Sequence, residues 1–186
     1  MKNKTYYIIA FAIVALVQAF VPINMILHRE DVLNTGVLYK FKCAPVDPND
    51  PFRGKFVILS FEAERFETTD SSWKVADPVY AILENDAAGF AKINSLQRTA
   101  PESGDYISVE IIGIYTDGIR LKLPFDRYYI EESKAKAAEE VYWKNPTTTV
   151  AYVYVTDGSP VLSKLMIGEE TIEQAAERYM REKEVQ

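Results

Sequence analysis

The sequence predicts a mainly β domain of the α+β class: an antiparallel β domain with short helices, preceded by one transmembrane helix. Three observations predict it: an uncharged apolar run near the N-terminus, stretches of alternating apolar and polar residues, and two Thr-Asp-Gly tripeptides set between such stretches. At 186 residues the chain has room for an anchor at 1–28 and one compact domain at 29–186. A composition 48% hydrophobic and 26% charged supplies enough apolar surface for a core and argues against disorder.

Residues 5–27 carry no charged side chain, and residues 6–20 (YYIIAFAIVALVQAF) are apolar apart from Gln18. About 20 such residues cross a hydrocarbon layer of about 30 Å, where only a helix satisfies its own backbone. Lys2 and Lys4 precede the run, and His28-Arg29-Glu30-Asp31 follows it nearly neutral. The positive-inside rule therefore leaves the N-terminus in the cytoplasm and everything after Leu27 outside. Two other readings compete: a signal peptide cleaved after Val17-Gln18-Ala19, and a buried core helix. Apolar character persisting through Val21, Ile23, Met25, Ile26 and Leu27 favours a retained anchor. Pro22 and Asn24 weaken the helix only near its outer end, where water and headgroups satisfy freed backbone groups.

A strand is predicted at 37–43, followed at 45–54 (PVDPNDPFRG) by a rigid loop whose three prolines and glycine forbid regular structure. Residues 55–66 form the clearest strand signal: Leu59, Phe61 and Ala63 alternate with Ser60, Glu62 and Glu64. Further strands are expected at 79–84, 89–97 and 106–115. Thr116-Asp117-Gly118 then leads to Ile119, Leu121 and Leu123 alternating with Arg120 and Lys122, a hairpin signal because glycine supplies the positive φ of a tight turn. Thr156-Asp157-Gly158 repeats the device between 149–155 and 161–167, which suggests two similar β lobes at 36–123 and 124–186. Helices are predicted at 133–143 and 171–184; in the second, Ile172, Ala175, Ala176, Tyr179 and Met180 form one stripe, for the core or for a partner.

Charge and composition exclude several functions. Lys2 and Lys4 aside, 19 Lys and Arg face 27 Asp and Glu, net −8, which discourages nucleic-acid binding and adhesion to anionic lipid. Cys43 and His28 are the only cysteine and histidine, which removes disulfides, Cys/His metal sites and Ser-His or Cys-His catalysis within one chain. No cofactor is implied.

The segment Pro45-Val46-Asp47-Pro48, Asp50-Pro51, Arg53-Gly54 and the strand after it resemble the membrane-anchored bacterial GDYXXLXYXX proteins. Gly54 and Leu59 match that motif, whereas Lys55 replaces its acidic residue and Phe56 and Phe61 replace its tyrosines. Arg127-Tyr128-Tyr129-Ile130-Glu131-Glu132 is similar to the family's aromatic-acidic segment before a short helix. The resemblance implies a bacterial cell membrane protein with one N-terminal span and an integral membrane protein as its partner. It implies no activity.

Candidate binding residues come from the two segments that carry the resemblance. Asp47, Asp50, Arg53 and Gly54 stand in the proline-rich loop, which fails as a calcium loop because Pro and Phe occupy positions that need an oxygen ligand and a glycine; a structural turn is the competing reading. Tyr128, Tyr129, Glu131 and Glu132 combine aromatic surface with carboxylates, against the simpler reading of glutamates favouring a helix N-terminus. The expectation is a non-catalytic extracytoplasmic domain that binds a partner or ligand, with an envelope hydrolase using carboxylates as the alternative.

Overall fold

The computed structural model describes residues 2–45 and 56–184. Helix α1 (Lys2–Thr35) continues unbroken through Pro22. Its segment Tyr6–Thr35 is long and apolar enough to cross a membrane, and the apolar window is wholly unburied, so it is not a core helix. Only the last turns meet the folded domain. Val32 is fully buried, His28 Nε2 lies 3.2 Å from Ser159 Oγ, and Gly36 N donates to Val32 O at 2.9 Å. A Cβ on Gly36 would stand 2.5 Å from that same carbonyl, so glycine alone fits the joint between α1 and β1 (Val37–Ala44).

Two five-stranded antiparallel sheets follow. The first runs in the order β12 (Glu170–Thr171), β11 (Ser159–Ile167), β10 (Thr149–Thr156), β1, β3 (Ser60–Phe61). The second runs β4 (Arg65–Phe66), β8 (Gly118–Lys122), β7 (Tyr106–Tyr115), β5 (Pro78–Asn85), β6 (Ala91–Gln97). A ribbon of β2 (Phe56–Ile58) and β9 (Arg127–Tyr129) completes the β structure. Alternation decides the faces: Tyr39, Phe41 and Cys43 of β1 point inward, Lys40 and Lys42 outward.

Both sheets bury their inner faces in one core. Phe41, Phe61 and Phe125 pack ring to ring with centroids 5.0 to 5.9 Å apart, continuous with Ile107 and Leu121 of the second sheet. Helices α2 (Glu132–Lys144) and α3 (Ile172–Glu184) close this core through Ala138, Tyr142, Ile172 and Ala176. The α3 stripe is thus chiefly a core face, Tyr179 and Met180 being half-buried against the core. Outside it, Lys134 pairs with Glu177 and Lys183 with Glu140, tying the helices together. The sheets do not divide between 123 and 124, since β1 pairs with β10 from Val37↔Val155 to Lys42↔Val150.

The clearest predicted strand, 55–66, is not one strand. It is cut into β2, β3 and β4, which join three different sheets, with a 3-10 turn at Glu62–Glu64. Glu64 makes the cut by accepting from its own chain, from Phe61 N at 3.2 Å and Ser60 Oγ at 2.9 Å, in competition with a sheet ladder. The two Thr-Asp-Gly tripeptides also differ. In the β10–β11 hairpin Asp157 and Gly158 form the turn with φ of 47° and 77°. In the β7–β8 hairpin Gly118 already pairs with Tyr115, and a Cβ there would lie 2.3 Å from Phe66 O, so this glycine admits β4 rather than making the turn.

Candidate functional site

A cleft of about 1380 Å³ opens where α1 leaves the domain. Its walls are the His28–Arg29 turn of α1, the start of β11, Ala76 and Pro78 at the start of β5, Ser108–Glu110 of β7, Lys122 at the end of β8, and the Pro124–Tyr129 connection through β9. These segments are remote in sequence. The topology gathers them because the β10–β11 hairpin docks on both α1 and the start of β7, where Ile107 bridges Gly158.

Tyr128 and Tyr129 both line the cleft, held in different ways. The Tyr128 hydroxyl donates to the Glu173 carboxylate at 2.6 Å, which fixes β9 to α3; burial, then this bond, push its pKa up. Tyr129 is 68% exposed, its ring packed against Phe56 at 5.6 Å. Arg127 lies over the same Phe56 ring at 5.1 Å. The outcome is a fixed aromatic lip with one phenol free toward solvent.

Three cations enter the cleft that sequence reasoning did not single out: Arg29, Lys122 and Arg127. Lys122 stands opposite Glu110 across β7 and β8, and Arg127 lies 3.9 Å from Asp126, so both are partly balanced. Arg29 has no ion-pair partner among the described residues. Only three-dimensional topology brings these groups together, and no linear motif links them.

Glu131 and Glu132 lie outside this lining, at the start of α2. Glu131 is the N-cap residue; it accepts from Ser133 Oγ at 2.6 Å and pairs with Lys134 at 3.6 Å. Glu132 falls in the first turn, where a negative charge complements the helix dipole. Asp47, Asp50, Arg53 and Gly54 lie outside the described residues.

A smaller pocket of about 450 Å³ is lined by Ser60, Glu64 and Arg120. Arg120 Nη2 reaches Glu64 at 3.4 Å from the exposed side. Burial raises the Glu64 pKa, opposed by its hydrogen bonds and by Arg120. Behind it Cys43 is fully buried, its thiol pushed up to about 12, which leaves no thiolate nucleophile. Among the described residues no group of three or more His, Cys, Asp and Glu is placed to hold a metal ion.

The family model of the GDYXXLXY protein matches residues 18–165. The chain belongs to that family. The match runs from the C-terminal half of α1 to Leu165 in β11, so the GDYXXLXY unit contains the second sheet, the first sheet apart from β12 and the end of β11, and every wall of the cleft. The family's function is uncharacterised. No curated protein and no solved structure matches this GDYXXLXY chain.

Proposed function

We propose that this GDYXXLXY protein is a single-pass bacterial membrane protein, N-terminus in the cytoplasm, whose extracytoplasmic domain is a non-catalytic accessory unit of an integral membrane protein. The observation that carries this reading is the position of the cleft: His28 and Arg29, which follow the apolar run directly, form one of its walls. A ligand in that cleft sits at headgroup height, beside any neighbouring span. Lys2 and Lys4 before the run support this orientation through the positive-inside rule. The exposed Tyr129 and the cations around it supply the residue types on which interfaces concentrate their energy.

The test is affinity capture of the full-length protein from its native membrane in mild detergent, with mass spectrometry of what accompanies it. One polytopic protein in fixed ratio is expected, reduced about tenfold or more by Tyr129→Ala with Arg29→Glu. If the protein emerges alone, or if the doubly substituted protein keeps its companion, the reading fails.

A further inference from the structure

Strands β1, β10 and β11 contain no Asp or Glu, in a chain that has 27 of them. Their outward side chains stand in register across the three strands. One row is Lys40, Tyr152, Lys164; the next is Lys42, Val150, Met166. The first row exists because β11 carries a bulge: the register skips Ser163, so Lys164 rather than serine comes opposite Tyr152. Lys40 and Lys164 then lie over the Tyr152 ring from either side, at 5.5 and 4.7 Å, and Lys42 lies over Phe90 at 4.5 Å.

The Nζ atoms of all three lysines lie over aromatic rings, which hold the ammonium groups in place on this face without neutralising their charge. Neither Lys40 nor Lys164 forms an ion pair among the described residues; Lys42 alone feels a nearby carboxylate, that of Asp86.

We infer that this face docks an acidic amphipathic helix of another polypeptide, its carboxylates meeting Lys40, Lys42 and Lys164 and its apolar side resting on Tyr152, Val150 and Met166. At the centre of this face no strand can be added, because β10 is hydrogen-bonded on both edges, to β1 and to β11. Recognition therefore comes from side chains. A uniform polyanion would meet the lysines but leave the apolar positions uncovered, whereas an amphipathic segment covers both. Met166 adds an adaptable contact at the edge of the face. None of these residues lines the juxtamembrane cleft, so the two surfaces are separable.

The experiment uses the full-length protein in nanodiscs of neutral lipid and a labelled amphipathic peptide with leucines at i, i+3, i+4 and i+7 flanked by glutamates. Fluorescence anisotropy is expected to show at least about tenfold tighter binding than for the same peptide with lysines in place of glutamates. Lys40→Glu with Lys164→Glu should abolish that preference, while Tyr129→Ala in the cleft should leave it intact. Both altered positions are exposed or half-buried, and an unchanged circular dichroism melt confirms that the variant is folded. Equal binding of the two peptides overturns the proposal, as does a charge-reversed protein that still prefers the acidic one. Inorganic polyphosphate that binds as tightly as the peptide would show a general anion surface and overturn it equally.

Discussion

Among the described residues Glu64 is the one carboxylate that the fold buries, at 8% exposure, and it titrates accordingly. Its pKa rises above the ordinary 4.5 because burial disfavours the charge more than Ser60, Phe61 and Arg120 favour it. The folded protein thus holds this proton more tightly than the unfolded chain does. The stability linked to it is complete below the ordinary value and is lost as pH rises through the folded-state value. We expect the melting temperature of the wild type to fall relative to that of Glu64→Gln as pH rises from below the ordinary 4.5 through the higher folded-state value. A constant gap between the two curves would remove the assignment. Alternation places Glu64 on the solvent side of a strand, with Ser60 and Glu62, and period 2 is blind to a carboxylate that bonds the amide three residues back. The sequence therefore showed the residue but not its role.

At the scale of elements, those with a long period were legible and the short ones were not. The apolar stripe of α3 predicts the helix, and Thr171 with Gln174 anchors its start: Thr171 N donates to Gln174 Oε1 at 3.0 Å and Gln174 N to Thr171 Oγ1 at 3.4 Å. Thr171→Ala removes the cap and should cost about 1 kcal/mol, read as a lower denaturant midpoint with an unchanged slope. A neutral result would mean that core packing of Ile172 and Ala176 alone fixes the helix. In contrast β9, three residues long, and β12, two residues long, are too short to show a period, yet β9 brings Tyr128 and Tyr129 to the cleft wall. Those tyrosines were found through their composition and the family resemblance. Arg29 and Lys122 carry no such local signal, because one ends an apolar helix and the other alternates along a hairpin like any solvated residue. Which of the candidate residues meet is decided by pairing over long sequence separations.

The whole molecule behaves as a rod joined to a block. One residue, Gly36, separates α1 from β1, and α1 is docked by buried Val32 and by the His28–Ser159 contact, so nothing at the joint acts as a flexible linker. At 1.5 Å rise per residue, the helix carries the domain only about 12 Å beyond the apolar run. The orientation of the cleft and of the lysine face relative to the apolar helix is then a property of the fold rather than of chance tumbling. Spin labels at Ile13→Cys and Asp117→Cys, with buried Cys43 left unmodified, report on this joint. The pair should give a narrow distance distribution in nanodiscs, and a Gly-Ser-Gly-Ser insertion after Gly36 should broaden it severalfold without lowering the melting temperature of the domain. Equal widths in the two proteins would show that the joint hinges already. The headgroup-height cleft would then lose its fixed address, and accessory binding would have to rest on whichever surface a mobile domain presents.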